Sequence, residues 1–191
     1  MATLNRDSEY HWKNWPEHDD AYPWLLSVDP GLNSCGWALW FDGQLVKVGV
    51  VKPRRSGTLG DRMSTILNAI GEGIAGHHTL PGNRYKFITS EPRIHCVIEM
   101  PHYQEGSAKG SFGWKTGDLQ KLTLLVGFLA GHDWGAVTLA TPRDWKGQLP
   151  KDVVIRRVTA RLGKSRCEQL DIKADAWDAV GIGLWALTGK V

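Results

Sequence analysis

Trp24-Leu25-Leu26-Ser27-Val28-Asp29-Pro30-Gly31, continued after Leu32 by Asn33-Ser34-Cys35-Gly36-Trp37-Ala38-Leu39-Trp40, is the stretch around which the chain is organised. An apolar run of strand length ends on a carboxylate, and Pro-Gly then forces a turn. A second apolar segment runs to Phe41. Asp42-Gly43 is a two-residue hairpin signal, and Gln44 to Val51 forms a third segment. The pattern predicts an antiparallel meander with Asp29 at the end of its first strand, facing a cleft. Taken alone, Asp-Pro-Gly is also simply a turn, because each of these residues favours turns for local reasons.

Working outward, the 191 residues suit one domain with a real core, and 42% apolar and 23% charged residues are ordinary for a globular protein. No apolar run approaches the roughly 20 residues of a membrane span. Residues 1–22 are polar and acidic, lack the apolar middle of a signal peptide, and read as an extension ahead of a single domain over 23–191. Cys35, Cys96 and Cys167 are isolated and fit neither a zinc pattern nor a disulfide framework, so the expected setting is reducing and intracellular.

The net charge of +3 is unevenly spread: Met1 to Trp24 holds two basic and five acidic residues, Arg143 to Lys173 nine basic and four acidic. That excess suits phosphate contact or the solvated face of a helix. Of ten tryptophans, Trp37, Trp40, Trp177 and Trp185 lie in apolar segments and are expected in the core. Trp12, Trp15 and Trp114 lie in polar surroundings, suited to stacking on bases or to anchoring a tail.

Strands are predicted at 24–29, 34–41, 44–51, 95–99 and 137–140, with a further short strand at 86–88 as an option. Helical spacing of Leu59, Met63, Ile66, Leu67, Ile70 and Ile74 predicts a helix over 59–75, weakened at its end by Gly71 and Gly73. His77 and His78 read as surface residues. Further helices are predicted over 118–130, over 151–162 (basic and amphipathic) and over 172–188, the last capped by Asp171. This order implies an α/β fold with a mixed five-stranded sheet flanked by helices on both faces.

Chemistry enters with four acids. His95-Cys96-Val97-Ile98-Glu99 is a second apolar strand ending on a carboxylate, broken by Met100-Pro101. Asp175 and Asp178 are three apart on the predicted last helix, on one face among apolar residues. Carboxylates in such a place need a partner, and Mg²⁺ is an efficient one. The alternatives are a solvated helix face or neutralisation by a basic residue such as Lys173. If the first and fourth strands are neighbours and the last helix crosses their ends, Asp29, Glu99, Asp175 and Asp178 converge. With two Mg²⁺ ions roughly 3.5–4 Å apart, such a cluster is a template for phosphodiester hydrolysis.

Four segments resemble those of the RuvC-type Holliday-junction resolvases of the ribonuclease H-like superfamily: Ser27-Val28-Asp29-Pro30-Gly31 with Gly36-Trp37-Ala38; Val97-Ile98-Glu99; Thr141-Pro142-Arg143-Asp144-Trp145-Lys146-Gly147 with Lys151; and Ala174-Asp175-Ala176-Trp177-Asp178-Ala179. Their order and rough spacing match from Trp24 to Leu187. The resemblance implies a ribonuclease H-like fold and a Mg²⁺-dependent homodimeric endonuclease that nicks four-way DNA junctions symmetrically, leaving 5′-phosphate and 3′-hydroxyl ends. Two Mg²⁺ per site, replaceable by Mn²⁺, would be held by Asp29, Glu99, Asp175 and Asp178, with Lys146 and Lys151 beside the scissile phosphate. It implies no membrane partner and a place in the cytoplasm of a bacterium or phage-infected host. The family sets an aromatic wedge after the strand-ending glutamate, and Tyr103 is the choice here among His102, Tyr103, Phe112 and Trp114; Tyr103 equally suits packing beside Pro101. Lys109 and Lys115 in the same loop, and Arg143, Arg156 and Arg157 in the basic segment, are candidates for phosphates. The extension and the short gap between Lys146 and Lys151 depart from the family pattern and suggest a divergent member, as from a bacteriophage.

Rival readings are an actin-like ATPase, for which 191 residues hold only one of the two domains needed, a non-catalytic junction binder, and a ribonuclease H-like nuclease acting on forks, flaps or hybrids.

Overall fold

The computed structural model describes residues 22–75, 93–101 and 117–191. Expectations that fall elsewhere lie outside the described residues: the extension up to position 21, the optional strand at 86–88, His77 and His78, and the loop carrying Tyr103, Lys109 and Lys115.

The first strand, β1 (Trp24–Asp29), pairs antiparallel with β2 (Cys35–Phe41), and β2 pairs antiparallel with β3 (Gln44–Val51). Asp42 and Gly43 both take positive φ, 47° and 72°, as a two-residue hairpin turn requires. A helix, α1 (Leu59–Ala75), carries the chain to β4 (Ile94–Glu99), which lies parallel to β1. A second helix, α2 (Asp118–Ala130), leads to β5 (Gly135–Ala140), parallel to β4. The result is the expected five-stranded mixed sheet, in the order β3-β2-β1-β4-β5. Four helices follow: α3 (Pro142–Trp145), α4 (Lys151–Leu162), α5 (Lys164–Gln169) and α6 (Trp177–Thr188).

Strand alternation divides the sheet into two buried faces. Leu26, Val28, Cys35, Trp37, Leu39, Cys96 and Ile98 pack under Ile66, Ile70 and Ile74 of α1 and Leu125, Val126 and Leu129 of α2. Leu25, Ala38, Trp40 and Val97 pack on the other face against Val154 and Val158 of α4 and Ala179, Val180 and Ile182 of α6. Ser27 lies within this second face, where its hydroxyl accepts the Trp40 indole N–H at 3.2 Å and donates to the Ala38 carbonyl at 3.3 Å. By the same alternation, Asp29 and Glu99 project to the side covered by α6. The β1–β4 register, Val28 opposite Ile98, sets them side by side.

Most predicted elements appear within a residue or two of their expected bounds. The last helix does not. It begins at Trp177 rather than 172, because residues 174–176 form a turn, and Asp171 sits at φ 47° outside the helix instead of capping it. The short helices α3 and α5 are additional; fewer than two turns of helix leave too little periodicity to read. Trp37, Trp40 and Trp185 are buried as expected, and Trp177 is half-buried against the second cluster.

Glycine in α1 also has a positive role. The Trp37 indole lies so close to Gly49 and Gly73 that a Cβ on either would overlap its ring, whereas a Cβ on Gly71 meets nothing within 4 Å. The two helical glycines are therefore expected to respond oppositely. Gly71→Ala should stabilise the fold by about 0.5–1 kcal/mol through helix propensity. Gly73→Ala should destabilise it by about 1–3 kcal/mol through overpacking. Urea unfolding of the two variants checks the pair.

Candidate active site

The site lies where β1 and β4 end and α6 begins. Asp29 and Glu99 reach it from adjacent parallel strands. Asp178 reaches it from the first turn of α6, where the helix dipole favours a negative charge, and is only 9% exposed. Asp175 belongs to the turn before α6. Its carboxylate accepts the Ser34 hydroxyl at 2.7 Å and lies 3.8 Å from Lys52 Nζ. Asp29, Glu99 and Asp178 thus form the close electrostatic group, and Asp175 flanks it on the side of β2 and β3. The two aspartates three apart do not share a helix face, because the helix has not begun at Asp175.

Close backbone approach sets this turn in place. Asp29 is paired with Gly36 in the β1–β2 ladder. A Cβ at position 36 would overlap the Asp175 carbonyl oxygen and crowd Ala176, so only glycine lets the turn lie directly on β2 beside Asp29. From α1, the Arg62 guanidinium donates to the Leu32 carbonyl and, at 2.9 Å, to Asn33 Oδ1. It pins the loop that carries Ser34.

Lys146 and Lys151 meet on one carboxylate. Thr141 caps α3 in a reciprocal box with Asp144, with Thr141 N and Oγ1 both donating to Asp144 Oδ2 at 2.7 Å. Gly147, at φ 57°, turns the chain tightly out of α3. As a result Lys146 Nζ sits 3.6 Å from Asp178 Oδ1 and Lys151 Nζ 3.0 Å from Asp178 Oδ2. Lys146 Nζ also lies 4.5 Å from the centre of the Trp145 ring. Lys173, the neutralising partner considered from the sequence, pairs with Asp171 instead.

Trp145, Ser34, Lys52 and Arg62 support the acids and were not singled out by sequence reasoning. Trp145 Nε1 donates to Glu99 Oε2 at 2.6 Å. Its place inside the Thr141–Gly147 segment was its only signal.

Among the candidate DNA contacts, Arg143 and Arg156 are exposed, and Arg156 lies 4.0 Å from Asp152. Arg157 is exposed but donates to the Val191 carbonyl at 3.0 Å, so it also braces the fold. Arg161 and Arg166 likewise bond within the protein, to Thr188 Oγ1 and to the Leu45 carbonyl.

Fully ionised, the three acids would carry more negative charge than the two lysines offset. Burial, then Glu99 and Asp178, push the Asp29 carboxyl up to about 8, against the lowering effect of Lys146 and Lys151. Burial chiefly raises Glu99 too, opposed by Lys146 and the Trp145 hydrogen bond. Among the described residues, Asp178 Oδ1 is buried without a hydrogen-bond partner and lies 3.6 Å from Lys146 Nζ. Among the described residues, no three such side chains form a ready-made metal cage. The buried oxygen and the crowding of three carboxyls, which would carry a surplus of negative charge once ionised, nevertheless suit a hard divalent cation, which takes carboxylate oxygen and retains water.

A mixed sheet in the order β3-β2-β1-β4-β5, flanked by helices on both faces and carrying acids at the ends of β1 and β4, is a ribonuclease H-like fold. Among solved structures the chain is similar to Thermus thermophilus RuvC in complex with a Holliday junction substrate: TM-score 0.53, 18% identity, 85% of this chain and 91% of that one. It is similar also to a second Thermus thermophilus RuvC structure: TM-score 0.52, 19% identity, 87% of this chain and 96% of the other. The resemblance carried by four sequence motifs is thus matched by a likeness of fold. No protein-family model matches the sequence, and no curated protein does.

The raised Asp29 value has a consequence for stability. Between the ordinary value of 3.8 and about 8, the folded chain keeps a proton on Asp29 that the unfolded chain releases. Stability of the metal-free protein therefore falls as pH rises through that window, and Glu99 adds in the same direction. Asp29→Asn should stabilise the metal-free protein at pH 9 by on the order of a few kcal/mol, and the gain should vanish towards pH 4. Urea unfolding in EDTA at the two pH values measures it.

Proposed function

We propose that the protein is a Mg²⁺-dependent DNA endonuclease of the RuvC type that resolves four-way junctions. The observation that carries this reading is the convergence of Asp29, Glu99 and Asp178 at the ends of β1, β4 and the start of α6, with Lys146 and Lys151 on the same carboxylate. A pure binding protein gains nothing from crowding acids that raise one another's pKa.

Asp29, Glu99 and Asp178 would hold the cations, with Asp175 flanking. Bound there, Mg²⁺ (or Mn²⁺ in its place) would supply Lewis-acid activation of a water and charge stabilisation for the leaving oxygen, and breakage of the P–O3′ bond would leave 5′-phosphate and 3′-hydroxyl ends. The remaining work falls to the chain. Trp145 orients Glu99, Ser34 and Lys52 hold Asp175, and burial of Asp178 keeps competing water away. Lys146 and Lys151 exchange Asp178 for the charge that develops on the scissile phosphate. Arg143 and Arg156, with Tyr103, Lys109 and Lys115 in the loop after β4, contact the junction.

Paired nicks on a two-fold junction call for a homodimer. Its support is an exposed apolar set: Leu124 and Phe128 one turn apart on α2, and Val137 and Leu139 on β5, 58, 38, 40 and 47% exposed. The register of Val137 opposite Cys96 puts the β5 pair on the sheet face that α2 covers. The described residues include no helix long and apolar enough to cross a membrane, and action on DNA inside a bacterial or phage-infected cell suits this reading.

The test is cleavage of labelled four-way junction, fork and linear duplex in Mg²⁺. Wild type should nick the junction in symmetric pairs. Asp178→Asn should cut slower by on the order of 10²–10³-fold while still binding the junction. Equal cutting of the fork but not the duplex would leave a broader branched-DNA nuclease, equal cutting of all three a nuclease without junction selectivity, and binding without any cutting a non-catalytic binder.

A further inference from the structure

We propose that Trp145 sets the cation selectivity of this site, by holding one oxygen of Glu99 so that the carboxylate presents the other. The inference rests on the reading above that Glu99 is a cation ligand; what it adds is which cation the site prefers and the residue responsible. Trp145 is a positioning residue and touches no reacting atom.

The indole is 3% exposed and its N–H donates to Glu99 Oε2 at 2.6 Å. Several elements confine it. Its backbone belongs to the turn fixed by the Thr141–Asp144 box. Its ring is seated against Gly181 of α6, where an added Cβ would come within 2.7 Å of Cζ3. It packs in one cluster with Val154 of α4 and Val97 of β4, and Lys146 lies over it. An indole held this firmly cannot follow a rotating carboxylate, so Glu99 turns only at the cost of a buried hydrogen bond. On this proposal Oε1 is the oxygen presented to the group formed with Asp29 and Asp178.

Cations differ in how they take such a ligand. Ca²⁺ accepts six to eight oxygens in a flexible shell and commonly takes both oxygens of one carboxylate. Mg²⁺ requires near-octahedral geometry at short distance and is satisfied by one oxygen from each of one or two carboxylates, the rest being water. A carboxylate pinned through one oxygen suits the second pattern and penalises the first. Groups that orient a ligand in this way typically change metal affinity about 10–100-fold when removed.

Calorimetric titration of the full-length, metal-free protein with Mn²⁺, Mg²⁺ and Ca²⁺, in the absence of DNA, tests this. Wild type should bind Mn²⁺ and Mg²⁺ in preference to Ca²⁺. Trp145→Phe keeps most of the ring volume and removes the N–H donor. It should weaken Mn²⁺ and Mg²⁺ and spare or strengthen Ca²⁺, narrowing the Ca²⁺-to-Mn²⁺ ratio of dissociation constants about tenfold. Gly181→Ala, which keeps the indole but displaces it, should narrow the ratio in the same direction and decides the matter if Trp145→Phe does not fold by circular dichroism. A wild-type protein that binds none of the three cations would overturn the ligand reading of Glu99 and this inference with it. Wild-type binding with an unchanged ratio, or an equal loss for all three cations in both variants, would overturn the role of Trp145 alone.

Discussion

Carboxylates brought together in a half-buried place repel one another, and each loses water it would otherwise keep. That repulsion is the constraint around which this fold is arranged. Asp29 and Glu99 are set side by side by strand register, and α6 brings Asp178 to them with its helix dipole pointing the right way. The structure relieves part of the resulting cost with Lys146 and Lys151, placed on Asp178 by one tight turn. It leaves part unrelieved, as the raised Asp29 and the unbonded Asp178 oxygen record. A site that tolerates this imbalance is suited to bind positive charge from outside.

The supports of the site belong to the packing of the fold. Gly36 and Gly181 are both positions where an added side chain would press on a close neighbour, and each neighbour serves an acid. At Gly36 the neighbour is the turn that carries Asp175; at Gly181 it is the indole that bonds Glu99. Arg62 reaches from α1, on the opposite face of the sheet, to hold the loop after Asp29. Both layers of helices therefore contribute to the geometry of one sheet end, and the acids are positioned by elements far apart in the chain.

The basic character of the chain after residue 143 divides into two uses. Arg157, Arg161 and Arg166 close hydrogen bonds within the fold, to Val191, Thr188 and Leu45. Lys146 and Lys151 serve the acids, while Arg143 and Arg156 stay at the surface. A local charge excess is thus a poor guide to which cations face a ligand, because arginine's several donors also make it a good brace for carbonyls.

Sequence by itself determined the elements with strong periodicity and clear punctuation. The strand from Trp24 ending at Asp29, the Asp42-Gly43 hairpin and the 59–75 and 118–130 helices follow from local alternation, turn chemistry and apolar spacing, which need no knowledge of distant contacts. It also singled out the acids, since a carboxylate that ends an apolar strand is conspicuous. Tertiary structure alone decided how they are grouped. Helix α6 starts at Trp177 because the preceding turn must lie on Gly36, a contact between segments some 140 positions apart, as the Ser34–Asp175 bond also shows with its separation of 141. That moved Asp175 to the flank, paired both lysines with Asp178, and gave Trp145 its place at Glu99. Such effects depend on backbone clearance and side-chain reach between packed elements, and neither quantity is written in local sequence pattern.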